Sequence, residues 1–465
     1  MLPKKIKSLY RTVSTGGHMK NYQFYHIYPL GMLGKLNDNN SKEDSMNNKN
    51  GYSLGYLKEF IGHLKELQIN GVYIGPIFES IYHGYETVDY LTIDKRLGTN
   101  DEFKELVDAY HNNEIDVIVD CVFNHVSREF FAFKDVLVNK GQSKYSHWFY
   151  IDHSKNNHRN DGFSYHTWDG HDELVKLNLD NDEVCDYLID VAKTWVNQFN
   201  IDGLRLDAAD VMKPSFIKRL NDELKGMKKN FYIVGEMVHG DYKGLLEKTG
   251  IDSITNYECY KGLYSSLNDS NYHEIGHSFK RLLGNQGILK DKLLYNFVDN
   301  HDVNRVASEL NETNHLYPLY LMMYTMKGYT SIYYKSEIGA TGKRTNYGDS
   351  ELRDTFFKEE LQAGNDLLNA IKKFASIRKD NEILTEGDYE ELVLDHKLIG
   401  YRRFKNGQSM ITLINSSNEP SIIDKSIINH WKRSFSLDGY DELNDESIQS
   451  NEHLVIYPNW GRIIK

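Results

Sequence analysis

Short apolar runs alternate with helical patterns along most of the chain. Residues 24–28 (FYHIY) read as a first strand. The stretch KLNDNNSKEDSMNNKNG after it is too polar to pack and reads as a long loop. Leu54, Leu57, Phe60, Ile61, Leu64 and Leu67 then recur at helical spacing. Residues 71–75 (GVYIG) have the pattern of a buried strand. A helix is predicted over 99–111, with Phe103, Leu106, Val107 and Tyr110 on one face and Thr99 or Asn100 as N-cap. It leads into 116–123 (DVIVDCVF), a continuous apolar run of the kind found in parallel sheets covered on both faces.

The alternation pauses over 126–175, which are aromatic, His- and Asn-rich and irregular. A βα unit needs no loop of ~50 residues, so this segment reads as an inserted subdomain after the third strand. Helical patterns resume at 182–199 and near 214–225. Further strands are predicted at 202–206 (DGLRL), 231–235 (FYIVG), 252–256 (DSITN), 293–297 (LLYNF) and 330–334 (TSIYY). Eight strands in such alternation predict an α/β fold, a (β/α)8 TIM barrel. After about 381 the helical pattern stops, and LIGYRRF, SMITLIN and HLVIYP read as strands of a C-terminal antiparallel β-sandwich. The division expected is a tail over 1–20, a barrel over 21–125 and 176–380, the insertion over 126–175, and the sandwich over 381–465.

Charge and composition remove some classes of partner. The net charge is −12 with no long basic run, which argues against nucleic acid. No segment approaches the ~20 apolar residues of a membrane span, and no signal-peptide pattern opens the chain. Three cysteines, Cys121, Cys185 and Cys259, make no disulfide framework and fit a reducing compartment. A cytoplasmic protein without a membrane partner is expected. The 33 tyrosines suit a sugar-binding cleft, although tyrosine also fills cores.

Barrel enzymes carry their chemistry just beyond the C-terminal ends of the strands. Here those positions hold His83, Gly84 and Tyr85; Asn124 and His125; Asp207, preceded by Arg205; Glu236; and Asp299, Asn300, His301 and Asp302. Taken singly, an acid after a strand is a turn or a cap, and a histidine is a packing residue. Independent caps have no reason to place acids, histidines, an arginine and a tyrosine on one rim.

The motifs DCVFNH (120–125), GLRLDAAD (203–210), GEM (235–237) and FVDNHD (297–302) resemble, in order and spacing, four regions of glycoside hydrolase family 13, the α-amylase family. The resemblance implies Asp207 as nucleophile, Glu236 as general acid and base, and Asp302 as the group that holds the distorted sugar. These carboxylates would cleave α-1,4-glucosidic bonds with retention, the first two standing about 5–5.5 Å apart. Arg205 beside Asp207 is expected to keep it ionised, and a less solvated site to keep Glu236 protonated. By the same resemblance His125 and His301 would donate to sugar hydroxyls and Tyr85 would stack on the sugar ring. Asp120 and Asn124 would brace the site.

LVKLN (174–178) is similar to a short motif, usually MPKLN, of the neopullulanase, cyclomaltodextrinase and maltogenic amylase group, with Val175 in place of the proline. That group commonly carries an N-terminal β-domain that builds its dimer; only the tail stands there here, so a monomer or weak homo-oligomer is expected. No cofactor is expected. The calcium site of secreted α-amylases uses a histidine where Val211 stands, which leaves Asn124 alone. Thr330, Lys335 and Ser336 depart from the family's usual turn, and the last two follow strand eight close to the rim, so a different subsite preference is expected there. The partner implied is an α-glucan oligosaccharide: maltooligosaccharides, with cyclodextrins or pullulan fragments as further substrates. Two alternatives stay open, a 4-α-glucanotransferase-type transglycosylase and a non-catalytic carbohydrate-binding or scaffold homologue.

Overall fold

The apolar runs form one sheet of eight parallel strands in the computed structural model, which describes residues 20–36, 51–346, 348–361, 364–431, 435, 437–449 and 453–465. In chain order the strands are β1 (Gln23–Ile27), β2 (Gly71–Ile74), β3 (Asp116–Cys121), β4 (Gly203–Leu206), β5 (Tyr232–Gly235), β6 (Ser253–Ile254), β7 (Tyr295–Phe297) and β8 (Tyr329–Tyr333). Consecutive strands pair in parallel up to β6, β7 pairs with β8, and β8 returns to β1. Between β6 and β7 the Thr255–Tyr295 bridge and an Asn256 N–H donated to Tyr295 O at 2.9 Å close the ring. The result is the (β/α)8 barrel. The expected tail, apart from Lys20, and most of the polar loop after β1 lie outside the described residues.

β6 is regular over two residues rather than the five expected, because Asn256 turns out to cap the helix Tyr257–Asn268 and accepts from Cys259 N–H at 3.2 Å. The apolar stripe after the polar loop is a 3-10 turn, Leu54–Phe60, that runs into a short α-helix, Ile61–Glu66. The helix Asn100–His111 starts at a capping box in which Thr99 and Glu102 satisfy each other's main-chain N–H.

Aromatic side chains fill the lower barrel. Tyr22, Phe24, Tyr73, Tyr232, Tyr295 and Tyr329 pack with Ile118 and Val234 in one buried cluster. Such bulk fits because glycine faces it: a Cβ on Gly71 would lie 2.7 Å from the Phe24 ring, and one on Gly203 would lie 2.3 Å from Tyr232 O. Alternation along the strands then sets polar groups above this layer. His26, Tyr73, Asp120 and Arg205 point to the same interior, and β1–β2 and β3–β4 register brings His26 beside Tyr73 and Arg205 beside Asp120.

The segment after β3 leaves the barrel as the strand His125–Ser127, which pairs antiparallel with His171–Lys176; Thr167–Trp168 adds a third strand. The helix Phe131–Asn139 completes this insertion. Beyond the barrel, six antiparallel strands form a sheet, Asp388–Leu394, Leu398–Lys405, Gln408–Asn415, Trp460–Ile464, Gly439–Asp441 and Glu446–Ile448. The opposing layer is small: the two-stranded ribbon Ser421–Ile423 and Leu454–Ile456, and the helix Lys425–Trp431. Ile411, Leu413, Ile423, Ile428, Trp431 and Ile456 meet between them.

Two fully buried arginines hold the junction of this sheet with the barrel, Arg378 from a barrel helix and Arg403 from the sheet. Arg378 donates to Tyr324 O at 2.6 Å and Met326 O at 3.0 Å. Arg403, on the sheet, donates to Thr325 O at 3.1 Å and Leu384 O at 2.7 Å. The guanidinium fork satisfies carbonyls that the end of the helix Leu316–Thr325 leaves without a helical donor.

Candidate active site

Each strand end places its chemical group by register. Asp207 follows β4, its N–H donated to Cys121 O at 3.1 Å; Glu236 follows β5, its N–H donated to Leu206 O at 2.9 Å. The two carboxylates therefore emerge side by side from neighbouring strands. One cation lies between them. Arg205 Nη1 is 2.7 Å from Asp207 Oδ1 and 2.9 Å from Asp120 Oδ1, and Nη2 is 2.8 Å from Glu236 Oε1.

Ala208, next to Asp207, adopts a left-handed conformation with φ 49° and ψ 43°. That costs an L-residue roughly 1 kcal/mol. The turn aims the Ala208 N–H at Glu236 Oε2, 2.9 Å away. Glu236 is thus held by a guanidinium on one oxygen and a main-chain amide on the other.

Burial pushes the Asp207 carboxyl well above the usual carboxylate range; Arg205 opposes that and the charge on Glu236 adds to it. Burial also raises Glu236, again against Arg205. Arg205 lies 2.7 Å from Asp207 and 2.8 Å from Glu236, so it favours ionisation of each carboxylate against its burial. Two raised acids around one cation titrate as a pair.

Asp302 behaves differently. Burial pushes its carboxyl up, but His301, Arg353 and Arg205 together outweigh that and hold it well below the ordinary range. His301 Nε2 lies 3.0 Å from Asp302 Oδ2, and Arg353 Nη2 lies 3.4 Å from Oδ1. The His301 ring sits between two tyrosines, 5.5 Å and 9° from Tyr28 and 5.5 Å and 7° from Tyr85. The Arg353 guanidinium lies over the Tyr28 ring, 4.7 Å from its centroid. The Tyr85 hydroxyl donates to Asp120 Oδ2 at 3.0 Å and also contacts His301 Nε2.

His125 is buried, and burial pushes its imidazole down to about 3, so it is neutral. Asn124 Nδ2 lies 3.2 Å from its Nδ1. That pairing assigns the proton to Nε2, which has no partner among the described residues.

These groups surround a cavity of about 750 Å3 at the barrel mouth. Asp207, Glu236, Asp302, Tyr85 and His125 line it; Arg205 and His301 stand behind the wall and act through the residues in front. All seven expected residues are therefore assembled at one place, five on the surface and two beneath it. Other lining residues were not legible in the sequence. Trp168 and His171 come from the insertion, Tyr257 from the helix after β6, and Arg344 and Arg353 from the segment after β8. An acid and a base four apart, Asp349 and Arg353, join at 3.1 Å and could have been noticed, but such pairs are common on any helix surface. Calcium fits poorly at Asn124. One orphaned oxygen, Asn124 Oδ1, is on offer and the Val211 side chain adds none, whereas the ion takes six to eight.

Comparison with known proteins finds relatives over most of the chain. Residues 40–354 match the model of the alpha amylase catalytic domain. A cyclomaltodextrinase from Thermoanaerobacter pseudethanolicus is 32% identical over 376 residues, 78% of this chain and 63% of that protein. The chain thus spans less than two thirds of that relative's length. An intracellular maltogenic amylase from Bacillus subtilis is 28% identical over 457 residues, 95% of this chain and 75% of that one. Among solved structures, a cyclic alpha-maltosyl-(1→6)-maltose hydrolase from Arthrobacter globiformis superposes with a TM-score of 0.80 at 23% identity, covering 96% of this chain and 98% of that one, a likeness of fold.

Proposed function

The chain belongs to the alpha-amylase catalytic-domain family, and we propose that it is a retaining α-glucan hydrolase that cleaves α-1,4-glucosidic bonds of maltooligosaccharides, with cyclodextrins and pullulan fragments as further substrates. One observation carries the reading: Asp207 and Glu236, on neighbouring strand ends, grip a single guanidinium at the cavity wall. A carboxylate pair held to one guanidinium suits a covalent double displacement, in which one acid attacks and the other handles the proton.

In the first step Asp207 attacks the anomeric carbon as the glycosidic bond breaks, and Glu236 gives its proton to the departing oxygen. In the second, Glu236 takes a proton from water, whose oxygen displaces Asp207. The cycle needs one proton on the pair, and it must sit on Glu236 while Asp207 is ionised. Burial of both groups keeps that proton available at neutral pH. Asp302, held ionised, faces the positive charge that develops on the sugar. Tyr85 and His125 line the cavity, where a sugar ring meets the tyrosine and a sugar hydroxyl the imidazole. No step requires a metal.

We place the protein in the cytoplasm: one relative is named an intracellular enzyme, and among the described residues no helix is long and apolar enough to cross a membrane. The deciding experiment is incubation with maltoheptaose, β-cyclodextrin and pullulan, with products chromatographed over time. Shorter sugars alone support hydrolysis. Products longer than the substrate would mean that a sugar hydroxyl replaces water in the second step. No turnover of any of the three would overturn the proposal.

A further inference from the structure

The outer surface carries a second constellation, where the barrel helix His273–Leu283 meets the hairpin formed by Asp388–Leu394 and Leu398–Lys405. His273, Asp395 and His396 are exposed there, and one ligand atom from each lies within 4.8 Å of the other two. We propose that these three residues bind a divalent transition-metal ion, zinc being the best match, and that the ion clips the C-terminal sheet to the barrel.

The donor set selects the ion. Two imidazoles and one carboxylate suit zinc, cobalt, nickel or copper, whereas calcium and magnesium take oxygen ligands. Around tetrahedral zinc, ligand atoms at about 2.0–2.2 Å stand roughly 3.4 Å apart. Side chains already within 4.8 Å reach that by small rotations, and all three are exposed.

The backbone brings them together before any ion arrives. The Tyr272 N–H donates to His396 O at 3.1 Å, tying the start of the helix to the hairpin turn. Asp395 Oδ1 accepts the His396 N–H at 2.7 Å, which sets the attitude of the carboxylate. Gly276 permits the close approach, since a Cβ there would lie 2.8 Å from Leu394 Cδ2. The imidazole rings of His273 and His396 are 5.5 Å apart and nearly perpendicular, 81°, so they do not stack.

The helix opens His273-Glu274-Ile275-Gly276-His277, the spacing of the helical zinc motif of metalloproteases. The structure assigns the ligands otherwise. His277 is not in the close group, Ile275 and Gly276 are buried, and the remaining donors come from the hairpin. Water is left for the fourth position.

Zinc chloride titrated calorimetrically into the chelator-treated full chain near neutral pH, where imidazole is largely neutral, tests this. The expected result is one zinc per chain at micromolar concentration, with a rise in the thermal midpoint. His273→Ala and His396→Ala should each weaken binding by at least about tenfold and cancel the thermal rise, because each removes one of three ligands. His277→Ala should bind as the parent does. Full binding in the His273→Ala and His396→Ala variants would overturn the proposal, as would an absence of stoichiometric binding. Loss of binding in His277→Ala would move the site onto the helix alone and overturn this ligand set. All three histidines are exposed, so the variants should fold as the parent does.

Discussion

The Tyr85 and His301 rings lie parallel, 5.5 Å apart and 7° from coplanar orientation, and the Tyr85 hydroxyl bonds Asp120 below. The ring that lines the cavity is therefore fixed at its hydroxyl edge, where Asp120 and His301 both meet it. Tyr85→Phe keeps the flat face and loses the edge bond, so kcat/KM on maltoheptaose should fall by about tenfold or less. Tyr85→Ala removes the face as well, and a loss of about a hundredfold is expected. Equal losses in the two variants would show that the ring face does nothing beyond carrying its hydroxyl.

Glu236 and Asp207 should separate by their need for a proton. Glu236→Gln is expected to slow maltoheptaose cleavage by about a hundred- to ten-thousandfold. With an aryl α-glucoside whose leaving group needs no protonation, the first step should survive and the alkaline limb of its pH profile should vanish. Asp207→Asn should be inactive on both substrates, with the fold intact by circular dichroism. A Glu236→Gln variant equally dead on the activated substrate would contradict the roles assigned.

The same pair has a stability signature. Burial raises the folded-state ionisation of Asp207 above its unfolded value, so the folded state holds its proton longer. Between the unfolded and folded values, stability falls as pH rises, and above both the ionised group destabilises the fold. Asp207→Asn should therefore melt about 1 °C higher than the parent near neutral pH, the shift that ~1 kcal/mol gives a chain of 465 residues. The gap should close as pH drops through the ordinary carboxylate range. A variant that melts lower at neutral pH would show that Arg205 stabilises the Asp207 carboxylate more than burial destabilises it.

Gly203→Ala tests the barrel interior. Its Cβ would lie 2.3 Å from Tyr232 O and 3.0 Å from Ile118 Cγ1, and strand main chain cannot yield that distance cheaply. A loss above ~2 kcal/mol in urea unfolding is expected. Gly162→Ala, in open space but at φ 81°, should cost less.

What the sequence disclosed follows from periodicity. Eight apolar runs of strand length and the residues one step beyond them could be read because register carries Asp207 and Glu236 directly from β4 and β5. Trp168, Arg344 and Arg353 could not, since they ride on irregular segments whose paths back to the mouth leave no periodic trace. The short β6 was overestimated because DSITN has a strand's composition while Asn256 serves as a cap. His301 was placed by motif, but its burial between Tyr28 and Tyr85 depends on side chains far apart in the chain. The same holds for Ala208, whose left-handed turn nothing in its identity announces.

Arg378 and Arg403 bear on how the molecule comes apart. Both are fully buried, and Arg403 reaches from the C-terminal sheet to Thr325 O on a barrel helix and to Leu384 O in the connection between the two. Neither body can melt first without stranding those carbonyls or a guanidinium in an apolar junction. Calorimetry should accordingly register one cooperative transition for the whole chain, and a fragment ending near residue 380 should be recovered aggregated rather than as a working barrel.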